Sequence, residues 1–301
     1  QLAPAEVDAD ARDADPLRTF LPLPNAARAL ADDVWMILGS RGTGKSALFR
    51  LATADTPLLG ELFRTPVPEA RWLDCFSVIG HEHPEVGGLE GMSDLTDLDL
   101  RGFWATLLLR RLARAGETMG IAPHVVSEVE TFDPNSASKW APGIKRLLGE
   151  LIGALDHVDS ALQATGRRVF CCYDALDRIS PFDGQMRRRH IRVLLALWSS
   201  LSSRHRSLRA KVFLRDDLLD PKTLEFPDAS KLRARSASLR WSHEDLSRLL
   251  VRYLAQDGDA VREWLGQVKQ LRLEHHPRLG WLPGAMPEEI DAALERYYPA
   301  N

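Results

Sequence analysis

Eight consecutive residues combine glycines, a lysine and a hydroxyl at a spacing that suits a phosphate chain: Gly39-Ser40-Arg41-Gly42-Thr43-Gly44-Lys45-Ser46. The glycines let successive backbone N–H groups point at an anion, as the G-x-x-x-x-G-K-[ST] pattern requires. Lys45 would reach the β and γ phosphates, and the Ser46 hydroxyl would ligate Mg²⁺. The pattern predicts a nucleoside triphosphate site formed by Gly39, Ser40, Arg41, Gly42, Thr43, Gly44, Lys45, Ser46 and Ala47.

An acid follows directly on the most apolar predicted strand, Val169–Tyr173. Asp174 at that position resembles a Walker B carboxylate, which would hold Mg²⁺ together with Ser46; a turn or helix cap is the alternative. The neighbouring position is Ala175, where a catalytic Glu is usual. Asp177 is the nearest acid that could orient the attacking water, although it could equally cap a helix. Because the usual catalytic Glu is missing, we expect the bound nucleoside triphosphate to be hydrolysed slowly.

Arginines follow or flank two later strands. Arg215 ends the predicted strand Lys211–Arg215, where it could contact the γ-phosphate from within the same subunit. An ion pair with Asp216 or Asp217 is the alternative. Three more arginines surround the last strand, and one of them could act as a sensor or reach a neighbouring subunit. Spacing does not decide among Arg233, Arg235 and Arg240.

Predicted strands alternate with predicted helices, and this alternation indicates a parallel sheet with helices on both faces. The strands are 34–38, 71–79, 169–173, 211–215 and 237–241. A bound phosphate would then lie at the carboxyl ends of the strands. We divide the chain into an arm (1–24), a nucleotide-binding domain (25–242) and a C-terminal helical lid (243–301).

Six features of the helices and loops are predicted locally. Asn25 would cap a short helix at 26–30. The helix at 103–112 would expose Arg110, Arg111 and Arg114 along one side. Residues 81–99 would form a loop, and 184–202 a helix. Ser242 and Asp245 form a capping box ahead of a leucine-rich helix, and residues 261–301 are predicted to be helical in pieces.

Composition limits the possible classes. The chain has 301 residues, 45% of them hydrophobic, with 39 Lys and Arg against 42 Asp and Glu, so no overall basic field indicates nucleic-acid binding. Arg187, Arg188 and Arg189 could contact nucleic acid, but a solvated helix face is favoured. Cys75, Cys171 and Cys172 are expected to be reduced and buried. No membrane span or signal pattern is found, so we expect a cytoplasmic protein without membrane partners.

Two groups of histidines are candidate metal ligands. His81-Glu82-His83 lacks the i, i+4 spacing of a helical zinc site, and His275-His276 lie far from it in sequence. Solvated histidines are the favoured interpretation, so Mg²⁺ is the expected metal.

Four segments together resemble the P-loop NTPases of the STAND class, in the AAA-like (ASCE) branch: GSRGTGKS, VFCCYDALD, KVFLRDD and SLRWSHEDLSRLL. The resemblance covers about residues 30–255. It implies ATP as the nucleotide, strand order 5-1-4-3-2, a γ-phosphate sensor at Arg215 and a helical lid beginning near Ser242. It also implies that an extra strand separates the P-loop and Walker B strands, a place we assign to 71–79. Leu282-Pro283-Gly284 resembles the proline motif of that lid only weakly, and the lid region is shorter than is usual in the class.

The sequence therefore predicts an ATP-binding, slowly hydrolysing switch. Resemblance alone implies a bacterial regulatory or anti-phage role, with a homo-oligomer or an effector protein as partner. Two alternatives stay open: a scaffold that binds nucleotide without hydrolysing it, and a nucleic-acid-dependent ATPase.

Overall fold

The computed structural model describes residues 20–63, 68–77, 94–133, 136–180, 182–219, 226, 229–256, 258–267 and 271–284. The α-helices are α1 (Pro24–Leu30), α2 (Lys45–Ala54), α3 (Thr56–Phe63), α4 (Asp97–Arg114), α5 (Pro123–Thr131), α6 (Ala137–Trp140), α7 (Leu148–Ala164), α8 (Gly184–Ser202), α9 (Ala229–Ala234), α10 (His243–Gln256) and α11 (Asp259–Gln267). The strands are β1 (Met36–Gly39), β2 (Arg71–Phe76), β3 (Val169–Tyr173), β4 (Leu208–Arg215), β5 (Ser236–Ser238), β6 (Leu273–His276) and β7 (Gly280–Pro283). Short 3₁₀ turns occupy Ile144–Leu147, Leu176–Arg178 and Asp216–Leu218.

A five-stranded, all-parallel sheet forms the centre of the α/β fold, in the order β2-β3-β4-β1-β5. Successive side chains of each strand enter opposite cores: Met36 contributes to one and Ile37 to the other, and the same alternation holds for Val212 and Phe213. One core is covered mainly by α4, α7 and α8, and the other by α1, α2 and α3. The prediction of a parallel sheet with helices on both faces is confirmed, and so is the order 5-1-4-3-2, read from the opposite edge.

The strand between β1 and β3 is β4, not the 71–79 segment. Our assignment of that segment to the separating position is wrong. Its residues 71–76 form β2 at the edge of the sheet, where β3 is the one partner among the described strands, and Arg71 is exposed. An apolar run predicts a strand, but the position of that strand in a parallel sheet depends on how crossover helices pack, which the run does not encode.

Three local predictions are also wrong. Helix α1 begins at Pro24, with Leu23 in the N-cap position, because proline is well suited to the first turn of a helix. Asn25 instead donates its side-chain N–H to the Arg240 carbonyl, 2.7 Å away. Helix α4 begins at Asp97 within the predicted loop, and Arg110 is buried at 9% exposure rather than on a wetter side.

The C-terminal region differs from an all-helical lid. The Ser242 capping box is confirmed, since its hydroxyl accepts from the Asp245 backbone N–H at 3.1 Å. After α10 and α11, however, the chain forms an antiparallel hairpin of β6 and β7. Arg252 of α10, only 1% exposed, donates to the Leu279 carbonyl in the hairpin turn at 3.1 Å. A separate small core made of Val251, Ala255, Leu265 and Leu271 joins the helices to the hairpin.

No helix in the described part of the chain is both long enough and apolar enough to cross a membrane.

Candidate functional site

Residues 40–44 form the turn that joins β1 to α2, as predicted, while Gly39 ends β1 and Lys45 and Ser46 begin α2. Gly42 and Gly44 have φ angles of 84° and 86°, in the left-handed region that favours glycine. Gly44 directly precedes the first residue of α2, so the loop ends at a helix N-terminus, where backbone N–H groups and the helix dipole favour an anion. We call residues 39–46 the 39–46 loop.

The loop packs tightly at its first residue. A Cβ added to Gly39 would lie 2.4 Å from the Thr43 hydroxyl oxygen and 2.9 Å from the Leu239 carbonyl oxygen. The Thr43 hydroxyl in turn donates to the Ser40 carbonyl at 2.9 Å. Gly39 is therefore needed for close packing against the residue that follows β5, whereas the two later glycines are needed for their backbone angles.

Lys45 lies beneath the loop and is only 9% exposed. Its Nζ donates to the Gly39 and Ser40 carbonyls at 2.7 and 2.8 Å. Burial lowers the pKa of Lys45, and the neighbouring carboxylates of Asp174 and Asp216 oppose this effect. A cation is thus held at the floor of the loop by backbone carbonyls, next to the position that an anion would take.

Asp174 lies directly beyond β3 and is buried at 7% exposure. Burial raises the pKa of Asp174, and a hydrogen bond from Ser46 acts in the opposite direction. The two side chains predicted to hold Mg²⁺ are therefore in contact. Two protein oxygens suit Mg²⁺, which usually keeps several of its waters. Within the described residues, no group of three or more His, Cys, Asp or Glu side chains could hold a metal ion.

Arg215 ends β4 and lies in register beside Gly39. Its Nε and Nη2 donate to the two oxygens of Asp217 at 3.0 and 2.7 Å, and its Nη1 lies 3.4 Å from Oδ2 of Asp177. The ion pair with Asp217, which was the alternative prediction for Arg215, is thus present. The hydrogen bonds that Arg215 donates to Asp217 are the main cause that raises the pKa of Arg215. The other candidate, Asp216, accepts instead from the Ser40 hydroxyl at 3.4 Å.

An open cleft of about 770 Å³ lies beyond the carboxyl ends of β1, β3 and β4. Its walls are the following three segments: Arg41–Ala47 of the 39–46 loop and the start of α2, Asp174–Arg178 after β3, and Phe213–Arg215 at the end of β4. The cleft brings together the predicted residues Lys45, Ser46, Asp174, Asp177 and Arg215. Gly39 and Ser40 contribute the carbonyls that hold Lys45 rather than cleft walls.

Position 175 has an unusual backbone. Ala175 has a φ of 56°, which is strained for a residue with a Cβ. It initiates the Leu176–Arg178 turn, which carries Asp177 towards Arg215 and places Arg178 on the cleft wall. Sequence reasoning missed Arg178, whose only signal is that it follows the Asp174-x-x-Asp177 spacing.

A second missed residue is Trp241. Its indole N–H donates to the Gly42 carbonyl at 3.1 Å, so the segment after β5 contacts the 39–46 loop directly. This contact joins residues 199 positions apart, and no local pattern could have indicated it.

The three outer arginines are not equivalent. Arg233 and Arg235 precede β5, at the amino end of the parallel sheet, away from the cleft. The Arg235 guanidinium lies 6.0 Å from the ring centre of Trp35. Arg240 follows β5 at the carboxyl end, where its Nε donates to the Ser238 hydroxyl at 3.3 Å. None of the three lines the cleft as far as the chain is described.

The arginine run on α8 is partly neutralised. Arg189 and Arg192 each form an ion pair with Asp97 at 2.8 Å. Arg187 donates to the Asp177 carbonyl at 3.4 Å. His190, which follows Arg189, is fully buried, and burial lowers its pKa to about 4.

The remaining predicted groups play structural parts. Cys75, Cys171 and Cys172 are free and buried, as predicted. His276 accepts from the backbone N–H of Arg278 at 3.2 Å, and His275 packs on Trp281. The His81-Glu82-His83 group lies outside the described residues.

Comparison with known proteins gave no match: no family model, no curated protein and no solved structure matches the chain. A functional conclusion therefore rests on the residues and geometry of the cleft.

Proposed function

We propose that this chain binds ATP with Mg²⁺ and hydrolyses it slowly, as a molecular switch. The observation that carries the proposal is the convergence, in one cleft, of a left-handed glycine loop at a helix N-terminus with Lys45, Ser46 and Asp174. Each part serves the same purpose, which is to neutralise and orient a phosphate chain.

Each residue would have a role that follows from its position in the cleft. The 39–46 loop supplies backbone N–H donors, and Lys45 supplies a positive charge at the floor of the cleft. Ser46 and Asp174 would hold Mg²⁺, which would offset phosphate charge and fix the phosphate geometry. Arg215 reaches the cleft from β4 and would contact the terminal phosphate. Asp177 is the acid available to orient water.

Slow turnover follows from the state of Asp177. Its carboxylate lies 3.4 Å from the Arg215 guanidinium, so it is engaged in an ion pair rather than free to orient water. Ala175 offers no second carboxylate. The same observation supports the second candidate, a scaffold that binds nucleotide tightly without hydrolysing it.

A role for nucleic acid receives less support, because Asp97 already pairs with Arg189 and Arg192. The proposal of a bacterial regulatory or anti-phage role, with a second copy or an effector protein as partner, rests on the sequence resemblance alone.

The test measures binding of Mg·ATP and release of phosphate for the wild type, Lys45→Ala and Asp174→Asn. Lys139→Ala, at an exposed lysine outside the cleft, is the control for lost positive charge. We expect slow release by the wild type and the control, and loss of release in both cleft variants. Binding without release would establish the scaffold instead. Equal binding by the wild type and Lys45→Ala would refute a nucleotide site here.

A further inference from the structure

The guanidinium of Arg215 is already occupied by two carboxylates. Nε and Nη2 donate to Asp217 as a parallel pair, at 3.0 and 2.7 Å, and Nη1 faces Asp177 at 3.4 Å. The Nε/Nη2 edge of an arginine presents one parallel pair of N–H donors, which fits one planar or tetrahedral oxyanion at a time. A phosphate that takes the Nε and Nη2 donors of Arg215 must therefore displace Asp217.

The exposure of the two partners makes this exchange feasible. The Arg215 side chain is 33% exposed and lines the cleft, so a ligand can reach it. The Asp217 side chain is 61% exposed, so its displaced carboxylate can be hydrated at once. The free energy lost is that of a half-exposed ion pair, which is small enough for a multiply charged phosphate to replace.

The position of Arg215 determines which phosphate competes. Arg215 ends β4 in register beside Gly39, the first residue of the 39–46 loop, and its guanidinium faces Asp177, which follows β3. A diphosphate held by the loop and Lys45 would lack the terminal group that extends towards Arg215.

We propose that Asp217 is a specificity-determining residue: it competes with the terminal phosphate for Arg215 and so lowers the affinity for nucleoside triphosphates while leaving that for diphosphates unchanged. This inference rests on the proposed function. It makes the Arg215–Asp217 pair a reporter of the terminal phosphate, since the pair is intact with a diphosphate and broken with a triphosphate.

The chain offers a matched control in the same turn. Asp216 is adjacent and exposed, and it carries the same charge, but it contacts the Ser40 hydroxyl rather than Arg215. Asp216→Asn and Asp217→Asn therefore remove the same charge from the same neighbourhood. Only the second removes a competitor for the guanidinium.

The experiment is calorimetric titration of the full chain with Mg·ATPγS and Mg·ADP. Relative to Asp216→Asn, we expect Asp217→Asn to tighten ATPγS binding by about fivefold, the upper end for exposed ion pairs. ADP binding by Asp217→Asn should equal that of the wild type, so this variant should shift the ratio of the two affinities and Asp216→Asn should not. In an Arg215→Ala background, Asp217→Asn should no longer change the ratio of the two affinities.

The results separate two failures. If wild type and Lys45→Ala bind ATPγS equally, or the wild type binds neither nucleotide, the proposed function is refuted and this inference with it. If the wild type binds both nucleotides but Asp217→Asn and Asp216→Asn give the same affinity ratio, the competition is refuted and the nucleotide site stands. Persistence of the effect without Arg215 would also refute the competition.

Discussion

Lys211, which lies beneath α1, offers a sharp test of how the sheet packs against that helix. Lys211 of β4 is fully buried, and its Nζ donates to the Ala29 and Ala31 carbonyls, at the end of α1, at 3.1 and 2.6 Å. The same atom lies 4.9 and 5.3 Å from the ring centres of Phe170 and Trp72. Burial nevertheless lowers the pKa of Lys211 from the ordinary 10.5 to about 7.

The perturbation is Lys211→Met, which keeps the length of the side chain and removes its charge. Because the folded pKa is lower than the unfolded pKa, the unfolded chain binds more protons between these values. The free energy of unfolding of the wild type should therefore rise with pH across this interval. The two pKa values give a gain of about 2.3 kcal/mol between pH 7 and 9, at about 1.4 kcal/mol per pKa unit.

The assay is urea unfolding of both proteins at pH 7, 8 and 9. The loss of two hydrogen bonds in the variant is independent of pH, so the change in the difference between wild type and variant isolates the titration of Lys211. Lys139→Met, at an exposed lysine, should leave that difference constant. A constant difference for Lys211→Met as well would refute the reasoning. It would mean that the two carbonyls and two ring faces fully compensate for the lost hydration of the ammonium.

Three further substitutions, the first with a matched control, test local features by urea unfolding. Gly39→Ala places a Cβ 2.9 Å from the Leu239 carbonyl and should lower the free energy of unfolding by about 1–3 kcal/mol. Gly60→Ala, which meets open space in α3, should raise it by up to about 1 kcal/mol, and equal effects of the two would contradict the packing argument. Ala175→Gly relieves a φ of 56° and should raise the free energy of unfolding by about 0.5–1 kcal/mol; a decrease would show that the turn is not strained. Asp159→Asn weakens an acceptor of three backbone N–H groups at 2.7–3.1 Å and should lower it by about 2–4 kcal/mol, and an unchanged midpoint would refute that role.

Local signals predicted the parts of the site that lie within one segment. The spacing of Gly39, Gly42, Gly44, Lys45 and Ser46 requires a strand, a turn with left-handed residues and a helix start in immediate succession, and the structure has all three. The capping box at Ser242 is local in the same sense. Such features are predictable because the groups that stabilise them lie within a few residues of one another.

Predictions failed where a residue's environment comes from a distant segment. Arg110 belongs to a periodic amphipathic pattern, yet it is buried because α4 is surrounded by α7, α8 and the sheet. The hairpin at 273–283 replaced a predicted helix because its strands pair with each other and pack against α10. Arg235 is near a strand in sequence but lies at the end of the sheet opposite to the cleft.

By itself the sequence determined the phosphate-binding pattern, the strands and most of the helices, because these depend on spacing and periodicity along the chain. Only the tertiary structure decided that β4, and not the 71–79 segment, lies between β1 and β3, and therefore that Arg215 faces Asp177 in the same cleft as Lys45. It also brought Trp241 to the Gly42 carbonyl. The reason is geometric: parallel strands place their carboxyl ends together whatever their separation in sequence, so the partners of a strand-end side chain are set by strand order.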